Sequence, residues 1–274
     1  MALDLAERSG GIVVNADSMQ VYDALRVLTA RPSKADTARV DHRLYGHVPA
    51  AEAYSVGRWS RDVAALLEEP ALQARPRIFV GGTGLYFKAL LGGLSDMPPI
   101  PNAIRARWRM RLAEEGALAL HAALQASDPE TASALKPGDS QRIVRALEVF
   151  EATGRSIRLF RGTTGRPLID PDTARRIVLQ PDRAALRERI RLRFDRMMDE
   201  GAVEEVRALL ARDLPPDLPV MKAIGVREIA AFLRGELSAA DAVDRVSIAT
   251  GQYAKRQATW FRNQFGADWE IIVT

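Results

Sequence analysis

Cysteine is absent from the 274 residues, which excludes disulfides and thiolate metal sites and fits a reducing compartment, so the cytoplasm is the expected location. Long apolar runs are absent too, so no segment reads as a bilayer span and no membrane partner is expected. Residues 1–8 are mixed in charge and amphipathic, without the apolar stretch of a secretory signal. Histidine is scarce: His42, His47 and His121 show no metal-ligand spacing, and no Ser-His-Asp arrangement can be argued around them. There is no internal repeat and no low-complexity segment. Lysine is sparse, arginine being heavily favoured. The 39 basic residues stand against 35 acidic ones, and a net charge of +4 permits nucleic-acid binding without requiring it.

What is present suits a globular chain large enough to bury a core in one or two domains, with 47% hydrophobic and 27% charged residues. Residues 1–8 read as the end of a helix, stopped by Gly10 and Gly11. Short apolar strands follow at 12–14, 77–80 and 177–179, and 269–273 is a candidate fourth. A helix is predicted near 56–68, and strands separated by helices indicate α/β architecture with parallel pairing. Residues 98–170 differ: they hold helical patterns and no convincing strand, with Pro98, Pro99 and Pro101 at the start and 162–167 at the exit. They read as a helical insertion into a core formed by 1–97 and 171–274. Later helices carry the stripes Leu186, Ile190, Phe194, Met197 and Val203, Val206, Leu210, and the last long helix spans 238–264.

Chemistry is expected first where strands end, because ligands of open α/β sheets gather beyond the carboxyl ends of strands. Asn15-Ala16-Asp17-Ser18-Met19-Gln20-Val21-Tyr22 leaves the first strand, and its carboxylate can accept a proton or merely cap the turn. Gly81-Gly82-Thr83-Gly84 leaves the second, where bare amides can cradle an anion or simply make a tight turn. In the insertion, Gln141-Arg142-Ile143-Val144-Arg145 puts two arginines on one helix face, either for phosphate or as plain solvated charge. Near the end, Gln252, Lys255, Thr259 and Arg262 share a polar helix face, with Tyr253 and Trp260 interleaved. Met221-Lys222-Ala223-Ile224-Gly225-Val226-Arg227-Glu228 reads by itself as a turn into a helix.

In this order the segments resemble the tRNA dimethylallyltransferase (tRNA isopentenyltransferase) family along nearly the whole chain. Asp17-Ser18-Met19-Gln20-Val21-Tyr22 looks like the family segment with the catalytic Asp, and Thr29-Ala30-Arg31-Pro32 resembles its Thr-Ala-Lys-Pro. His42-Arg43-Leu44, Tyr54-Ser55-Val56, the glycine loop, Gln141 to Arg145, Ile224-Gly225 with Arg227-Glu228, and Lys255-Arg256-Gln257 with Thr259-Trp260 match further landmarks. One departure stands out. Family members open on a loop like Gly-Pro-Thr-Ala-Ser-Gly-Lys-Ser, and Met1 falls just after its expected place.

The resemblance implies a P-loop NTPase-like parallel-sheet core, here without its first strand and P-loop, and with a helical insertion domain for tRNA. It implies transfer of a dimethylallyl group from dimethylallyl diphosphate to the exocyclic amino nitrogen of the adenosine 3′ of the anticodon. Magnesium is the implied cofactor, the tRNA anticodon stem-loop the implied partner, and a monomer the expected state. By the same resemblance Asp17, Thr83 and Arg105 are the catalytic candidates, and Gly82, Thr83 and Arg105 the diphosphate contacts. Asp17, Ser18, Met19, Gln20, Gln141, Arg142, Arg145, Arg227, Lys255, Arg256, Thr259 and Arg262 are the tRNA contacts. Without the loop, impaired transfer and a gap in the sheet beside 12–14 are expected. A non-catalytic tRNA-binding remnant, an enzyme prenylating free adenine nucleotides, and a small-molecule P-loop kinase are the alternatives.

Overall fold

The computed structural model describes residues 1–161 and 165–274. It divides into two compact units, residues 1–91 with 168–274, and residues 92–167. The first begins with α1 (Ala2–Ser9), β1 (Ile12–Asn15), α2 (Lys34–Arg39), β2 (His42–Arg43), α3 (Val56–Leu67), β3 (Arg77–Val80) and α4 (Gly84–Gly92). The second unit holds α5 (Asn102–Ser127), α6 (Pro129–Ser133), α7 (Ser140–Thr153) and α8 (Ile157–Arg161). The first unit resumes with β4 (Ile177–Gln180), α9 (Arg183–Asp199), α10 (Ala202–Leu210), α11 (Val226–Leu233), α12 (Ala239–Gln264) and β5 (Glu270–Val273).

β1 lies in the middle of a three-stranded parallel sheet, order β2-β1-β3. Its four residues are all buried, as an apolar strand covered on both faces must be. Alternation sends Ile12 and Val14 against Leu66 and Leu72, and Val13 against Ala6 and Val40 on the other face. This corrects the expected gap beside 12–14. His42 and Arg43 supply a parallel partner to Val13 and Val14, and β3 supplies the other. β2 and β3 are the outer strands of the sheet, and Val80 at the end of β3 is 36% exposed. β4 and β5 do not extend this sheet; they pair with each other, parallel, in a separate two-stranded sheet.

The loop after β1 is anchored on the helices that follow β4. Val21, Tyr22, Leu25 and Leu28 share a core with Phe194, Met197, Val206, Leu209, Val226, Ile229 and Val246. Glu205 locks the loop by its carboxylate, which accepts hydrogen bonds from the backbone N–H groups of Arg26, Val27 and Leu28 at 2.8–3.1 Å. Glu205→Ala strands three donors, so a destabilisation of roughly 1–3 kcal/mol is expected in urea unfolding. A midpoint within error of the parent would show that water replaces the carboxylate without cost.

The second unit has its own core, in which Leu120 and Leu124 of α5 pack with Ile143, Ala146, Leu147 and Val149 of α7. Gly154, left-handed at φ 66°, ends α7, where the sequence pattern stops it. The compact unit runs from 92 to 167, where the sequence reading draws the insertion over 98–170. Leu168 and Ile169 already belong to the first unit, donating to the Leu90 carbonyl at 2.9 and 3.1 Å and packing beside Trp59 and Tyr86. Of the exit segment 162–167, residues 162–164 lie outside the described residues.

Candidate active site

The loops after β1 and β3 meet. Asn15 and Val80 are register partners, Ala16 donates to the Val80 carbonyl at 2.8 Å, and Thr83 donates back to the Ala16 carbonyl at 3.2 Å. The approach leaves no room for a side chain at Gly81: an added Cβ would collide with the Ala16 carbonyl group and the Asp17 nitrogen. The glycine is therefore required by a neighbouring backbone, a stronger reason than the need for a turn.

Buried Asn15 sets the first loop. Its Oδ1 accepts from the Asp17 N–H at 2.9 Å, and its Nδ2 donates to the carbonyls of Asp17 and Leu44 at 2.9 and 3.0 Å. The Asn15 carbonyl accepts from the indole N–H of fully buried Trp59 at 2.9 Å. Asp17 caps the turn, the plainer of the two readings the sequence offers. Its Oδ1 accepts from the Met19 N–H at 2.8 Å and weakly from that of Gln20 at 3.4 Å, fixing the turn. Among the described residues its Oδ2 receives no such bond, and it lies toward Gly82. One oxygen positions the carboxylate, and the other takes no part in the turn.

Thr83 joins the same cluster. Its Oγ1 accepts from the Ser18 N–H at 2.9 Å and lies 3.3 Å from Ser18 Oγ. Gln20 faces away, donating to the carbonyls of Thr29 and Ala30 at 2.8 and 3.2 Å, so its side chain braces the loop. Met19 is half-buried against the helical core.

From α12, Gln257 reaches in to donate to the Gly82 carbonyl at 2.9 Å, and the Trp260 ring lies against Gly84. Three phenols feel the charge of the carboxylate. Burial first, then the negative charge of Asp17, pushes Tyr45, Tyr86 and Tyr253 up from the ordinary tyrosine value, so all stay neutral hydrogen-bonding groups near neutral pH. Gln257 and the three tyrosines were not singled out from sequence as site residues. Lys255-Arg256-Gln257 carried one of them; the tyrosines come from three separated segments.

The other basic candidates are placed as follows. Lys255, Arg256, Thr259 and Arg262 are exposed on α12, and Arg227 is exposed on α11. Lys255, Arg256, Arg262 and Arg227 form no ion pair among the described residues. Tyr253 carries the Arg256 guanidinium over its ring at 5.7 Å. Arg105, Gln141, Arg142 and Arg145 belong to the second unit. There Gln141 and Arg142 are exposed, Arg142 pairing with Asp139 at 3.2 Å. Arg145 pairs at 3.2 Å with Glu148, which is buried, so part of its charge is structural. Arg105 has a buried Nε without a hydrogen-bond partner among the described residues. Among the described residues no three His, Cys, Asp or Glu side chains converge as a metal site, and no helix is long and apolar enough to cross a membrane.

The IPP transferase family matches residues 20–264. The chain is 60% identical to the tRNA dimethylallyltransferase of Mesorhizobium japonicum over 99% of its own length and 84% of the relative's. It is 59% identical to that of Chelativorans sp., over 98% and 92% of the two chains. Among solved structures, the tRNA isopentenylpyrophosphate transferase of Bacillus halodurans is similar at a TM-score of 0.68 and 30% identity, over 99% of this chain and 84% of that one. A eukaryotic dimethylallyltransferase acting on tRNA has a TM-score of 0.81 at 24% identity, over 99% and 69%, a likeness of fold alone.

Proposed function

The chain belongs to the IPP transferase family, and from that premise we infer that it transfers a dimethylallyl group from dimethylallyl diphosphate to the exocyclic amino nitrogen of an adenosine in tRNA. The observation that carries the reading is Asp17, fixed through Oδ1 with Oδ2 open, beside the Thr83 hydroxyl at the ends of two paired strands. The acceptor is the adenosine 3′ of the anticodon, which has to leave its stack to be reached, at a cost of a few kcal/mol. Its amino nitrogen attacks the allylic carbon, the carbon–oxygen bond breaks, and diphosphate leaves. The amino proton passes to Asp17 Oδ2. Thr83 contacts the diphosphate near the breaking bond, with the amide of Gly82 alongside. Arg105 balances the charge developing on the leaving group. Gln141, Arg142 and Arg145 of the insertion and Arg227, Lys255, Arg256, Thr259 and Arg262 of the core take the anticodon stem-loop; from the Asp17 loop Ser18 adds a contact, and Met19 and Gln20, whose side chains are turned to the helical core and to the Thr29 and Ala30 carbonyls, contribute through their backbone.

Magnesium is the cation that a diphosphate leaving group calls for. The described residues converge no three ligands of their own, so they do not by themselves make a magnesium site. An ion carried chiefly by the diphosphate oxygens suits this chemistry, since magnesium is commonly held by substrate phosphates and one or two carboxylates.

The direct test is incubation with unmodified tRNA and isotopically labelled dimethylallyl diphosphate, followed by nucleoside mass spectrometry. Label at the adenosine 3′ of the anticodon supports the reading; label on free adenine nucleotides alone overturns it.

A further inference from the structure

Away from Asp17, the first unit contains a cleft of about 450 Å³ whose charge the proposed reaction leaves unused. Arg26 and Arg31 line it from the loop after β1, and Arg193 and Arg196 from α9, facing two carboxylates, Asp36 and Glu200. Arg193 and Arg196 are three residues apart and so share a helix face. None of the four arginines has a carboxylate within 4.0 Å among the described residues. Asp36 is already engaged, its carboxylate taking the backbone N–H and hydroxyl of Ser33 in a capping box. Glu205, whose charge reaches Arg31, is occupied by three backbone N–H groups.

The arginines crowd one another. Burial holds the Arg31 guanidinium below its ordinary value against the pull of Glu205, and the charge of Arg26 lowers it further, opposed by Asp23. Desolvation of its head group and then the charge of Arg196 do the same to Arg193, although that residue as a whole remains exposed. Arg31 is also built in. It donates to the Tyr22 carbonyl at 2.6 Å, and its guanidinium fills the space beside Gly46, where an added Cβ would collide with it. The guanidinium groups around the cleft repel in two pairs, Arg26 with Arg31 and Arg193 with Arg196, and an anion between them relieves that repulsion; the planar fork of arginine matches phosphate oxygens. The cleft is joined to the candidate site through one short element: Ala30 lines it, and the Ala30 carbonyl braces Gln20, three residues from Asp17.

We propose that this cleft is a phosphate-binding site, taking either a backbone phosphate of the bound RNA or a free phosphate or diphosphate. The RNA form rests on the reading of the chain as a tRNA-modifying enzyme; the free form does not. The test compares the full chain with Arg26→Gln/Arg196→Gln, Arg26→Lys/Arg196→Lys and Glu200→Gln. One arm measures tRNA affinity against salt, the other measures inorganic diphosphate binding by calorimetry.

If the cleft holds RNA, the double Gln variant loses about 1.4–1.8 from the slope of log affinity against log salt, while the Lys variant keeps most of it. Glu200→Gln then tightens tRNA, a gain that misfolding cannot produce. If the cleft holds free phosphate, the diphosphate arm alone responds to the same variants. Parent-like behaviour of every variant in both arms overturns the site. A parent chain that binds no tRNA at all defeats the functional reading instead, and the diphosphate arm still decides the cleft.

Discussion

Asp17→Asn is expected to lower the turnover number for prenyl transfer by roughly 100- to 10,000-fold, the usual contribution of a general base, while tRNA affinity changes far less. Asparagine is the informative replacement because the structure divides the labour of the two oxygens. The amide oxygen can still accept from the Met19 N–H, as Oδ1 does at 2.8 Å, so the turn that leads to Gln20 survives. What is lost is the anionic Oδ2 near Gly82. Alanine would remove both and mix a loop defect with a chemical one. The measurement is single-turnover transfer at saturating tRNA beside an equilibrium binding curve. A turnover number within a few-fold of the parent removes Asp17 from proton transfer, whatever happens to binding. A large loss of tRNA affinity in the Asn variant would make Asp17 a recognition residue.

The parts of the architecture that could be read from sequence are those set by local pattern. Ile12-Val13-Val14 is a continuous apolar run and becomes a strand buried on both faces. Gly10 and Gly154 stop their helices in left-handed conformations, as glycine at that position does. β2 escaped because His42 and Arg43 are only two residues and half-buried; Val13 and Val14 make them a strand by pairing. The same pairing removed the expected gap beside β1. Motif position drew attention to Asp17, Thr83 and their loops, since ligand loops follow strand ends. It did not show that Asn15 would be the hinge of the loop, or that Tyr45, Tyr86 and Tyr253 would all lie within the electrostatic reach of one carboxylate, because such relations depend on tertiary placement. Helical spacing put Arg142 and Arg145 on one face, yet only the structure tells an exposed arginine from one tied to the buried Glu148.

That distinction decides how the tRNA surface is best tested. Arg145→Gln would leave Glu148 buried without its partner, so weakened binding could reflect a damaged second unit. Arg227, Lys255, Arg256 and Arg262 are cleaner probes. All are exposed, and none pairs with a carboxylate among the described residues. Cations not neutralised within the protein can displace counterions from an RNA backbone, and each such contact adds about 0.7–0.9 to the salt slope. Changing all four to Gln is expected to flatten that slope by about 3. Raising salt from about 50 to 200 mM should then weaken the parent roughly 50- to 150-fold more than the variant. Thermal unfolding of the variant should stay close to the parent, since these side chains make no ion pairs; Arg256 gives up only its contact with the Tyr253 ring. A parallel slope in the two proteins would mean that the basic residues of α11 and α12 are solvated surface, and that tRNA is held elsewhere.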